Sequence, residues 1–350
     1  MITAAERPSS ICSNGALYTA AGAALFAATN AFATALYRKR GASVVSLYLI
    51  RSTIIYAVNG ALVGLQHGWP AASSVLALHT EGDSSARLAW IRSLLNAVKA
   101  CLLSISFCFL TYADAFATFK GLSTIATVVA ARLILGSGEN MSPRELMCGA
   151  MTIAGIVLIA QPPALGFGGD PLPPSPHEGV ASSRWVPRTG AGLAAAAISA
   201  GLSGISGTLM RLLSNDSGPH QLTPAMSLSF LMCAMVIFFG GVAAVSHATG
   251  LDRVPGWEWS ALVWPTEISD CALVLLHSLC ALFAWLATGA GYTTTRAGIV
   301  AFLQLTELPW VYLIDIIALE EPTSLLAAAG SAIVFFSAIA AVQFQNSKPG

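Results

Sequence analysis

Ionisable residues interrupt several long apolar stretches of this 350-residue sequence. They are Arg51, Arg92, Lys99, Lys120, Glu307 and Asp315. A charge inside a membrane helix costs a few kcal/mol, so such a residue normally faces the protein interior or a water-filled cavity. Cations and carboxylates in that position can bind a charged solute, form a buried ion pair or carry a proton.

Two segments of the chain, 112–161 and 296–343, share one pattern. Each is a long apolar stretch, a short acidic break that ends in a proline, and a second apolar stretch with a central glycine. Gly149 in the first segment lies opposite Gly330 in the second. This self-similarity indicates an internal duplication.

The duplication relates the polar residues of the two segments. Lys120 lies opposite Gln304, and Ser123 lies opposite Glu307, at the same offset of 184 residues. At about 100° per residue, Lys120 and Thr124 share one stripe of the fourth apolar span, and Gln304 and Glu307 share one stripe of the ninth. We predict that the two stripes face each other across a central cavity. The predicted substrate-contacting residues are Asn30, Arg51, Lys120, Thr124, Gln304 and Glu307.

Two roles are open for Glu307. It can carry a coupled proton, or it can pair with Lys120 or Arg51, and we favour the pair. Pro309 lies just past Glu307 and removes one backbone hydrogen bond, which predicts a kink in the ninth span near the site.

The remaining ionisable residues of the spans receive more general interpretations. Lys99, in the middle of the third span, and Asp315, late in the ninth, are candidates for coupling or for an ion pair. Arg92 and Asp315 lie near span ends, where a charged side chain usually reaches the interface or pairs with a neighbour.

Composition indicates a membrane protein. The chain is 55% hydrophobic and 10% charged, with a mean hydropathy of +0.70, whereas soluble domains carry about 25% charged residues. Its apolar residues form blocks of roughly 20, the length that crosses a bilayer core. We predict an integral, multi-pass protein of the plasma membrane or an endomembrane, surrounded by lipid. The balance of 17 acidic and 17 basic residues gives no indication of nucleic-acid binding, and the seven cysteines lack metal-site or disulfide spacing.

The predicted fold is all-α, with ten transmembrane helices arranged as two inverted five-helix repeats. The repeats occupy 1–161 and 189–350, and a proline-rich linker at 162–188 joins them. Outside the duplicated segments, the predicted spans are 15–37, 44–65, 88–111, 190–213, 224–246 and 271–292. An odd number of spans per repeat places the second repeat upside down in the membrane, an arrangement that recurs in secondary transporters.

Several stretches together resemble a known family. They include Asn30 in the first span, Arg51 within LYLIRSTI, Ala113-Asp114-Ala115 at the start of the fourth span, and AFLQLTELPWVYLIDIIALEEPT in the ninth. Their order and spacing are similar to those of the drug/metabolite transporter superfamily, in proteins with two EamA-type domains, and most resemble solute carrier family 35, G branch. Lys120 departs from the family pattern, which usually has a small, polar or apolar residue there. The resemblance implies ten helices in an inverted-repeat basket and movement of small organic solutes, without specifying one substrate.

We therefore expect a secondary transporter that moves a small polar or anionic organic metabolite by alternating access. Arg51, Lys99 and Lys120 favour an anionic solute. Two alternatives are a nucleotide-sugar or phosphorylated-metabolite antiporter of an internal membrane, and a non-transporting membrane regulator or scaffold. We expect neither an enzyme nor a cofactor, because the sequence has no paired nucleophile and base, no metal-ligand cluster and no phosphate-binding glycine loop.

Overall fold

The computed structural model of the chain describes ten ranges of residues. These are 9–40, 42–68, 84–109, 112–136, 143–160, 189–215, 223–251, 261–265, 267–318 and 325–346. Within them the structure is helical, and no strand occurs. The predicted linker at 162–188 lies outside the described residues.

The helices follow the apolar blocks of the sequence. They are α1 (Ser9–Arg40), α2 (Val44–His67), α3 (Ser84–Phe109), α4 (Tyr112–Leu135), α5 (Pro143–Ala160), α6 (Thr189–Asn215), α7 (Pro224–Thr249), α8 (Ile268–Thr294), α9 (Ala297–Gln304), α10 (Glu307–Ala318) and α11 (Leu325–Asn346). Two of them begin with a side-chain cap that satisfies a free backbone amide: Ser43 accepts from Ser46 N at 3.1 Å, and Thr223 accepts from Met226 N at 3.2 Å.

Seven helices of the described residues are long and apolar enough to cross a membrane, namely α1, α2, α3, α4, α6, α7 and α8. Shorter apolar helical segments occur at Leu146–Leu158 and Ala297–Val311. The protein is thus an α-helical, multi-pass integral membrane protein, as composition predicts.

The most extensive helix contacts join the part of the chain before the predicted linker to the part after it. α1 packs on α8, α4 on α6, α3 on α6, α5 on α11, and α2 on α7. Each of these pairs combines one helix from before the predicted linker with one from after it. The two parts of the chain are therefore interleaved around a common centre.

Small residues let some helices approach closely. A Cβ atom added at Gly204 of α6 would lie 2.5 Å from the carbonyl carbon of Ala126 and 2.6 Å from the amide nitrogen of Thr127, both in α4. A Cβ atom at Gly155 of α5 would lie 2.8 Å from the carbonyl oxygen of Gly330 in α11. Contact at this distance maximises dispersion between helices that gain no hydrophobic energy from leaving lipid.

The predicted ninth span is interrupted. α9 ends at Gln304, and α10 begins at Glu307, with a turn between them at Leu305 and Thr306. In this turn Leu305 N donates to Phe302 O at 3.0 Å, a bond to the third rather than the fourth preceding carbonyl.

Pro309 explains the position of this break. Its ring would clash with the carbonyl of the residue four positions earlier, which is Leu305, and it has no amide hydrogen to donate. Leu308 N donates a hydrogen bond to the Leu305 carbonyl instead, at 3.0 Å. The predicted kink is therefore a break of the helix, and it precedes Glu307 because the proline acts on the preceding turn.

Gly204 and Gly201 offer a matched test of the close packing between α4 and α6. Gly204→Ala should lower the melting temperature of the detergent-purified protein, because its methyl group would meet the backbone of α4; overpacking typically costs about 1–3 kcal/mol. Gly201→Ala should leave it unchanged or raise it, since no atom lies within 4 Å of a Cβ atom there. Equal melting temperatures for the two variants would contradict the packing described here.

Candidate functional site

A polar cavity of about 150 Å³ lies at the centre of the helices. Side chains from α1 to α4 and from α6 to α10 line it. The charged residues that line the cavity are Arg51, Arg92, Lys99, Lys120 and Glu307. The structure thus brings together five charged residues from four different helices, and four of the five are cations.

Glu307, the first residue of α10, forms the centre of a buried polar cluster. Its side chain is 2% exposed and forms an ion pair with Lys120 through Oε2. Asn30 Nδ2 donates to the other carboxylate oxygen, Oε1, at 2.7 Å. Lys120 Nζ also lies 5.3 Å from the ring centroid of Phe116. Both carboxylate oxygens therefore have a donor, which offsets the cost of burying the charge.

This cluster joins three of the residues predicted from the sequence. Asn30 lies on α1, Lys120 on α4 and Glu307 on α10, and all three line the cavity. Gln304, at the end of α9, lines it as well. The side chain of Asp315 lies outside the described residues.

Thr124 occupies a different place from the other predicted site residues. It is buried but is not among the residues that line the cavity, and its hydroxyl donates to the carbonyl of Lys120 at 3.0 Å. Thr127 likewise donates to the carbonyl of Ser123, at 2.7 Å. The face of α4 that borders the cavity carries Phe116, Lys120 and Ser123. The predicted stripe is therefore rotated slightly away from the cavity. The hydroxyl groups of Thr124 and Thr127 form their hydrogen bonds within the helix instead.

Two cations of the cavity lie against aromatic rings. Arg51 Cζ lies 4.3 Å from the ring centroid of Tyr48, and Lys99 Nζ lies 5.5 Å from the ring centroid of Trp285. Such contacts stabilise a cation by about 0.5–2 kcal/mol without neutralising it. Among the residues that the structure describes, neither cation has a carboxylate partner.

Arg92 differs from its predicted interfacial or paired position. It is 5% exposed, Nη1 donates to Ser227 Oγ at 2.7 Å, and Nε is buried without a hydrogen-bond partner. α3 begins at Ser84, earlier than the predicted start at Leu88, which moves Arg92 two turns into the helix. The sequence does contain a pattern that predicts the buried position of Arg92. The spacing of Arg92, Asn96 and Lys99 places these three polar residues on one helical face.

Further polar residues of the cavity were not singled out by the sequence. Asn96 Nδ2 donates to Ser206 Oγ and to the carbonyl of Arg92. Thr288 Oγ1, on α8, is buried and has no hydrogen-bond partner in the described part of the chain. A polar atom left in this state is able to bond a group that enters the cavity.

Comparison with known proteins shows a shared fold. No protein-family model and no curated protein matches the sequence. One solved structure, described as "Crystal structure of protein", is 18% identical, with a TM-score of 0.66 over 95% of this chain and 97% of that one. The similarity extends along nearly the whole length of both chains.

The Lys120–Glu307 pair and Lys99 provide a test of charge compensation. Lys120→Met should lower the melting temperature strongly, because it leaves the Glu307 carboxylate buried without its cation, at a typical cost of about 3–5 kcal/mol. The double variant Lys120→Met/Glu307→Gln should recover most of that loss.

Lys99→Met serves as the matched control, since Lys99 has no carboxylate partner among the described residues. Its melting temperature should stay close to that of the unchanged protein or exceed it. Equal losses in Lys120→Met and Lys99→Met would show that the ion pair does not stabilise the fold.

Proposed function

We propose that this protein is a secondary membrane transporter, which moves a small polar or anionic organic metabolite by alternating access. The observation that carries the proposal is the charged cavity at the centre of an apolar helical protein. Maintaining unpaired cations there costs free energy, and this cost is expected where a charged solute is bound. A polar cavity at Lys120 and Glu307 also favours a transporter over a membrane scaffold, for which a closed, apolar centre would suffice.

In this proposal the chain has ten spans, arranged as two inverted five-helix repeats. The helix contacts support the arrangement, because the most extensive of them have counterparts in the other repeat. The contact of α1 with α8 corresponds to that of α6 with α3, and the contact of α4 with α6 corresponds to that of α9 and α10 with α1. A central site at the interface of two repeats is where inverted-repeat transporters bind solute. Membership of the drug/metabolite transporter superfamily stays a prediction.

The double variant Lys120→Met/Glu307→Gln tests the assignment of the site. Purified protein in proteoliposomes should exchange at least one labelled solute from a panel of organic acids, phosphate esters and amino acids. The double variant should lose at least nine-tenths of that flux, a tenfold change that corresponds to about 1.4 kcal/mol. The reason is that the altered side chains no longer hold α1, α4 and α10 in the same relative positions.

Arg132→Gln is the matched control, because Arg132 is exposed and lies at the end of the same helix as Lys120. Its flux should equal that of the unchanged protein. Undiminished flux in the double variant, or no flux of any solute in the unchanged protein, would contradict the proposal.

A further inference from the structure

The unpaired cations of the central cavity indicate the charge of its ligand. We propose that the substrate is an organic anion with at least two negative charges, a dicarboxylate or a phosphate ester, whose acidic groups bind Arg51, Arg92 and Lys99. Lys120 is reserved for Glu307 and does not bind the substrate's acidic groups directly. This inference rests on the proposed transport function and names the class of substrate for the same cavity.

Charge balance is the first argument. The described residues of the cavity wall contribute four cations and one carboxylate, and the Lys120–Glu307 pair is internally neutral. Arg51, Arg92 and Lys99 therefore leave three uncompensated positive charges in a region surrounded by apolar helices. A neutral or singly charged solute would leave at least two of them, whereas a divalent or trivalent anion compensates most of the charge.

The hydrogen-bonding state of Arg92 is the second argument. Ser227 holds one terminal nitrogen of its guanidinium group, while Nε is buried without a partner. A guanidinium group presents its donors in a fixed plane that matches two oxygens of a carboxylate or phosphate. Arg92, which lines the cavity, is thus oriented by the protein and retains one donor without a partner.

The spacing along α3 is the third argument. Arg92 and Lys99 are seven residues apart on one face, a rise of roughly 10 Å, and Asn96 lies between them with its amide bonded to Ser206. This spacing suits a molecule with two acidic groups, one near Arg92 and the other near Lys99. A phosphate group near Arg92 with a second acid near Lys99 fits it as well.

The aromatic residues of the cavity complete the description of the ligand. Tyr48 and Trp285 contact Arg51 and Lys99 through their ring faces, and Phe26 packs edge-on against Trp285 with ring centroids 5.3 Å apart. These rings hold the two cations in place and leave their charge intact. They also provide an apolar wall for the carbon skeleton between the acidic groups.

Binding to the detergent-purified full chain tests the inference without requiring transport. The probes are succinate, phenyl phosphate and inorganic phosphate, with acetate and benzoate as singly charged counterparts. Succinate or phenyl phosphate should raise the melting temperature at concentrations where acetate and benzoate do not. Arg92→Gln and Lys99→Gln should each weaken binding of the divalent probe at least tenfold, Arg92→Lys should weaken it less than Arg92→Gln, and Arg132→Gln should bind as the unchanged protein does.

Three results would overturn the inference: equal binding of singly and doubly charged probes, undiminished binding by both Gln variants, and no binding of any divalent probe. Lys99→Gln keeps the test valid if Arg92→Gln does not fold, since Lys99 is only partly buried. Binding of divalent anions without flux in proteoliposomes would refute the transport function alone. Flux of a neutral solute without binding of divalent anions would refute this inference alone.

Discussion

A carboxylate buried in an apolar helical protein requires partners, and the arrangement around Glu307 follows from that requirement. Lys120 and Asn30 supply donors to its two oxygens, so α1, α4 and α10 must meet at one point. That meeting point is also the wall of the central cavity. The same cluster therefore stabilises the packing of three helices and contributes a neutral ion pair to the cavity wall.

Much of the fold was predictable because it depends on composition and length. Apolar blocks of roughly 20 residues, separated by prolines, glycines and charges, specify membrane helices almost regardless of detail. The helix α8, at Ile268–Thr294, begins and ends within a few residues of the predicted 271–292. The meeting of Lys120 and Glu307 was likewise predictable, because the sequence pattern places each of them on a polar stripe of its helix and predicts that the two stripes face each other.

The remaining features depend on helix rotation and on neighbouring helices, which the sequence does not specify. Thr124 shares a helical stripe with Lys120, yet its hydroxyl bonds within α4 and Ser123 borders the cavity instead. For Arg92 the sequence predicts an interfacial or paired position, because it places the start of α3 four residues late. A shift of one helical turn is enough to convert a residue that reaches the headgroups into one buried at the centre.

The interruption at Leu305 and Thr306 makes the predicted ninth span mechanically different from α4. α4 is continuous from Tyr112 to Leu135, so it can tilt only as one rod. The predicted ninth span consists of two shorter rods, which can pivot separately about the turn between Gln304 and Glu307. The segment from α9 to α10 therefore has a flexible point directly beside two cavity residues, Gln304 and Glu307, which α4 lacks.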